Sequence, residues 1–182
     1  MLKNCLKLCL SLTLIGFLPS IAQTQGNRQG PGNKFKATLI GFEEVPALST
    51  TGTGTFSMQI DADDTGFDYE LTYSGLTGNV TQAHIHIAQK SVNGGIMVFY
   101  CTNLGNGPVG TQLCPGTTSG SVSGRITAAD VIGGAAAQGV AAGEFAEVLR
   151  AIREGAVYVN VHTTLFPGGE IRGQLTPGPQ KP

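Results

Sequence analysis

The sequence predicts an all-β fold: a Greek-key antiparallel β-sandwich of about eight strands, with one helix inserted before the penultimate strand. Three observations carry this. Apolar and polar residues alternate with period two through most of the chain, as in Phe35, Ala37, Leu39 and again in Phe67, Tyr69, Leu71, Tyr73. Turn-forming clusters separate these runs, and glycine fills 27 of 182 positions, which suits many tight turns between short strands. Only one long stretch has helical spacing, with Phe145, Val148, Leu149 and Ile152 at i, i+3, i+4 and i+7.

The chain begins with a targeting pattern. Lys3 and Lys7 precede an apolar run, Leu8 to Leu18, too short to cross a bilayer, and Ser20-Ile21-Ala22 offers small residues for cleavage. Residues 1–22 therefore read as a signal peptide, with an uncleaved anchor as the alternative. Residues 23–33 are polar and glycine-rich, a flexible linker that cannot bury enough apolar surface to fold. The β-domain spans 34–176, and 177–182 is a Pro-rich tail.

Within the domain, the runs 54–60 and 67–73 flank the acidic turn Asp61-Ala62-Asp63-Asp64-Thr65-Gly66 and form a hairpin. That turn resembles a calcium loop in part, but no glutamate follows at the required spacing. Val80 to Ala88 is the next strand, with Ala83, Ile85 and Ile87 on one face and His84 and His86 on the other. Ile96 to Thr102 is apolar on both faces and central. Ser121 to Thr127 follows, and Thr127 to Asp130 has capping-box spacing for a short helical turn over Ala128 to Gly134. Ala141 to Glu154 forms the helix, stopped by Gly155, and its stripe covers an open end or edge of the sheet; a partner-binding face is the sharper alternative. Ala156 to Thr163 and Gly169 to Leu175 close the domain as a hairpin around Phe166-Pro167-Gly168.

The formal net charge of -1 excludes the basic patch that nucleic acid needs. Loss of Lys3 and Lys7 with the signal leaves nine basic against 12 acidic residues, near -3. No membrane span is expected in the mature chain. Export removes Cys5 and Cys9, so Cys101 and Cys114 remain. In an oxidising compartment they pair as a disulfide around a turn-rich loop, which contributes about 3 kcal/mol on the chain-entropy view. A redox pair would sit closer in sequence, and a thiolate metal site would oxidise outside the cell. Asn79-Val80-Thr81 is a glycosylation sequon wherever that machinery exists.

The three histidines carry the functional question. His162 lies on the polar face of its strand with Tyr158 and Asn160, and His84 and His86 share the polar face of theirs. Three imidazoles meeting from two neighbouring strands make a ligand set for one copper or zinc ion. The plainer expectation is a polar strand face hydrogen-bonded to neighbours. Convergence in space decides between them. Glu170 and Arg172, two residues apart on one face, read as an exposed hairpin pair with solvated salt links, and Glu43 and Glu44 as caps of a sheet edge. No phosphate loop, nucleophile elbow or Cys-His arrangement is present.

Six blocks in order carry a resemblance: residues 35–46, Leu71 to Leu76, Ala83 to His86, Ile126 to Asp130, Tyr158 to Thr163, and Gly169 to Leu175. Together they resemble the CHRD domain, a module first recognised in chordin, a secreted antagonist of bone morphogenetic proteins. The resemblance implies an exported non-enzymatic binding or structural module, periplasmic, cell-surface or secreted. An extracellular protein or polysaccharide is the implied partner, met through an exposed apolar patch around Phe166 or Tyr100. A second resemblance is at the level of fold: His84-Ile85-His86, and His162 ahead of Pro167-Gly168-Gly169, are similar in kind and order to the copper ligands of copper/zinc superoxide dismutase. With no fourth histidine to bridge a second metal, dismutase activity is not expected. What remains is a mononuclear copper or zinc protein as the alternative function.

Overall fold

A computed structural model of the chain describes residues 32–179. The expected signal peptide, and nearly all of the expected linker, lie outside the described residues. Nine strands form one antiparallel sheet: β1 (Lys34–Ile40), β2 (Thr53–Ile60), β3 (Gly66–Ser74), β4 (Val80–Ile87), β5 (Ile96–Thr102), β6 (Gly120–Thr127), β7 (Val157–Thr163), β8 (Ile171–Gln174) and the short β9 (Thr176–Pro177). The order is β5-β4-β7-β8-β1-β2-β3-β6, with β9 pairing β1. β3 with β6, β4 with β7 and β8 with β1 are neighbours far apart in sequence, which gives the long connections of a Greek key.

Alternation sets the core. β2 reads exposed, buried, exposed, buried throughout, and its inward Phe56, Met58 and Ile60 pair with Leu71, Tyr69 and Phe67 of β3. The sheet curls until strands from its opposite halves meet. Tyr100 of β5 lies 5.0 Å from Phe56 of β2 and 4.4 Å from Tyr69 of β3, ring centre to ring centre. These contacts make the curled sheet a flattened sandwich, and aromatic pairs at such spacing add to simple burial.

α1 (Phe145–Arg153) precedes β7, the penultimate of the eight longer strands, and buries Phe145, Val148, Leu149 and Ile152 as its spacing predicts. It starts four residues later than expected, after a turn in which Gly143 is left-handed (φ 82°). Gly155 (φ 71°) stops it as expected. Phe145 stacks on Phe67, 5.9 Å between centroids, so the helix closes the sandwich at the β2–β3 end. Arg153 anchors it there through Asp64. The Thr127–Asp130 capping box is present, over the shorter 3-10 turn Ala128–Asp130. Cys101 and Cys114 are disulfide-bonded.

Two expectations need correction. Ile96 to Thr102 is not central: as β5 it ends the strand order, and most of its apolar residues are buried because the curled sheet brings Phe56 and Tyr69 against Tyr100. Tyr100 does not line an exposed patch: it is 1% exposed, taken inward by the aromatic cluster, and Phe166 is half-buried. The large exposed apolar side chains are instead Phe42, Val92, Leu104, Val109, Leu113 and Leu165, three of them inside the disulfide-closed loop.

β7 departs from simple alternation, with all seven residues buried. Its inner face meets the core. Its outer face, with that of β4, lies beneath three connections: the segment after β1 around Glu44, the β4–β5 loop around Gly94, and the β7–β8 loop around Pro167. That covered outer face holds the histidines.

Candidate metal centre

Strand register brings the histidines together. β4 and β7 are adjacent and antiparallel, with His84 opposite Asn160, His86 opposite Tyr158 and Gln82 opposite His162. The polar side chains of both strands therefore stand on one face. One ring nitrogen from each of His84, His86 and His162 lies within 4.8 Å of the others. All three side chains are buried, at 0%, 6% and 6% exposure. A polar strand face predicted from alternation alone would be wet, whereas this one is roofed by loops.

The loops fix the ring protons. His86 Nδ1 is 2.9 Å from the Gly94 carbonyl oxygen, and His162 Nδ1 is 2.9 Å from that of Pro167. A carbonyl oxygen only accepts, so each ring donates from Nδ1 and keeps its lone pair on Nε2. His84 turns Nδ1 towards His162 Nε2 at 3.1 Å. The Nε2 atoms of His84 and His86 are buried without a hydrogen-bond partner among the described residues.

Burial also keeps the rings neutral. Desolvation, aided by the neighbouring His162 and His86, pushes the His84 pKa down to about 2. Desolvation takes His86 down to about 4 despite the bond it donates to the Gly94 carbonyl, and it lowers His162 as well. Neutral imidazoles with inward lone pairs are the form that binds a transition metal.

A tight set of neighbours holds the rings in place. His86 stacks parallel on Tyr158, 4.6 Å between centroids. The Arg172 guanidinium sits over the Tyr158 ring at 3.3 Å, a cation–π contact, and donates to Asn93 Oδ1 and the Val92 carbonyl. Phe99 presents an edge to His84 at 4.3 Å. Asn160 places Oδ1 3.0 Å from His162 Nε2.

Glu170 and Arg172 do not form the exposed pair that their spacing suggested. Both are buried, 0% and 2% exposed, and they face different partners. The Glu170 carboxylate accepts from Thr50 Oγ1, Thr163 Oγ1 and the backbone N–H groups of Thr77 and Gly78. Burial alone would raise its pKa, but these four bonds outweigh it and hold the pKa below the ordinary value. Glu44 does not cap an edge. It is 7% exposed, its Oε1 borders Gly169 and the Asn160 amide, and desolvation raises its pKa to about 7 against the pull of Arg172. Nothing in Glu43-Glu44-Val45-Pro46 marks that burial in the sequence, because it arises from Asn160 and Gly169, distant in the chain. Glu43 instead pairs with Lys90 at the surface.

The fold is a curled antiparallel sandwich with a roofed trihistidine cluster on its outer face, off the core. The chain matches the CHRD domain over residues 35–175 and belongs to that family. CHRD domains are extracellular, protein-interacting modules, so membership supports a binding or structural role. No curated protein and no solved structure matches the chain. No helix among the described residues is long and apolar enough to cross a membrane.

Proposed function

We propose that the chain is an exported CHRD module, non-enzymatic, that binds one copper or zinc ion through His84, His86 and His162. The observation that supports this best is the pairing of burial with tautomer: Gly94 and Pro167 hold the Nδ1 protons and direct Nε2 lone pairs into one dry space. Buried acceptors facing one another are costly unless a cation or donor lies between them. Three nitrogen donors suit copper or zinc. A second metal site, as a dismutase would need, has no histidines left to build it.

The test is zinc and copper titration of the purified protein by calorimetry, beside a His84→Ala/His86→Ala variant. One ion per chain in the wild type and none in the variant is expected. Equal uptake by both, or none by either, contradicts the reading.

A further inference from the structure

Resting on the three-histidine reading, we infer that Asn160 Oδ1 is a fourth ligand, closing a three-nitrogen, one-oxygen site around a single divalent cation. The argument begins at His162 Nε2. Its ring donates from Nδ1 to Pro167, so Nε2 holds only a lone pair. Two atoms approach that lone pair: His84 Nδ1 at 3.1 Å and Asn160 Oδ1 at 3.0 Å. His84 can relieve the first contact by donating its proton. Asn160 Oδ1 has no proton to offer, so the second is acceptor against acceptor.

Turning the amide over would give His162 Nε2 a donor but would carry the amide oxygen away from the histidines, towards Glu44. Asn160 Nδ2 points the other way, towards Gly169 and Glu44 Oε1, which has no hydrogen-bond partner among the described residues. Gly169, left-handed at φ 127°, leaves the space this contact needs, since a Cβ there would meet both Glu44 Oε1 and Asn160 Nδ2. A cation between His162 Nε2 and Asn160 Oδ1 satisfies both acceptors and leaves Nδ2 facing Glu44.

The distances fit such a site. Two ligands about 2.0 Å from an ion in a tetrahedral set stand roughly 3.3 Å apart. The His84–His162 and His162–Asn160 contacts, 3.1 and 3.0 Å, are already near that edge. The widest histidine pair closes by about 1.5 Å to reach it. Three imidazoles and an amide oxygen suit zinc(II) or copper(II) rather than copper(I), which favours sulfur ligands. With four protein ligands no position is left for an exchangeable molecule, so the ion is held and not turned over.

The experiment loads the purified protein with Co2+ as a spectroscopic stand-in and then adds azide. A tetrahedral cobalt spectrum unchanged by azide is expected, and a shift on azide addition shows an open position and overturns the fourth ligand. Zinc affinity is measured beside it. Asn160→Leu should bind zinc at least tenfold more weakly with an altered cobalt spectrum, and Asn160→Asp should bind within a few-fold of wild type. Unchanged affinity and spectrum in Asn160→Leu overturn the inference while leaving the three histidines intact. Should Asn160→Leu not fold, the azide result on wild type and the Asn160→Asp affinity decide. No cobalt or zinc uptake by wild type overturns both readings.

Discussion

His86 is held from three directions: Gly94 takes its Nδ1 proton, Tyr158 stacks on its ring and Asn160 lies beside it. That degree of constraint leaves one rotamer, and a ligand fixed before binding loses little entropy on binding. Glu44 is the least comfortable residue nearby. Its pKa is about 7 when folded against an ordinary 4.5, so folding holds the proton more tightly. Stability is therefore fully present below 4.5 and is lost as pH rises through about 7. Glu44→Gln removes that loss. In metal-free protein at pH 8 the variant should be more stable by roughly 2 kcal/mol, and at pH 4 the two should match. Urea unfolding at the two pH values checks this, and equal stability at pH 8 counts against a buried charge at Glu44.

At the scale of elements, the outer face of β4 and β7 depends on its loops staying down. Glu170, in the β7–β8 loop, ties that loop to the segment before β2, the β3–β4 turn and the end of β7, from which its four donors come. Glu170→Gln replaces an acceptor-only group with an amide that must aim N–H groups at donors. The expected cost is about 3 kcal/mol at pH 7. Because the folded pKa lies below 4.5, this contribution is present above 4.5 and lost as pH falls through the folded value. Thermal unfolding from pH 7 downward should show wild type and variant converging in acid. A constant gap would contradict the assignment.

This is also where the sequence stops being legible. Period-two alternation placed the strands and put His84 and His86 on the polar face of one and Asn160 and His162 on that of another, because side-chain direction is a local property of a strand; only the β4–β7 pairing joins the two faces. The loops that cover that face carry no period. Their burial of Arg172, Glu170 and Glu44 depends on contacts such as Arg172 with Asn93, 79 residues apart, which no local pattern encodes. Gly143, in the turn before the helix, is left-handed, a conformation that a glycine in the sequence permits without requiring.

For the molecule as a whole, the sandwich places an apolar core on one side of β4 and β7 and a dry polar cluster on the other. The curled sheet and the disulfide hold the frame, and the family fold supplies a rigid bed for a binding site. The central claim is that a metal ion sits among His84, His86 and His162. The most direct measurement is anomalous X-ray diffraction from crystals of zinc- or copper-loaded protein, recorded on both sides of the metal's absorption edge. The account predicts one strong anomalous peak per chain, within bonding distance of a nitrogen of all three histidines. A loaded crystal with its peak elsewhere, or with none between these rings, would contradict it.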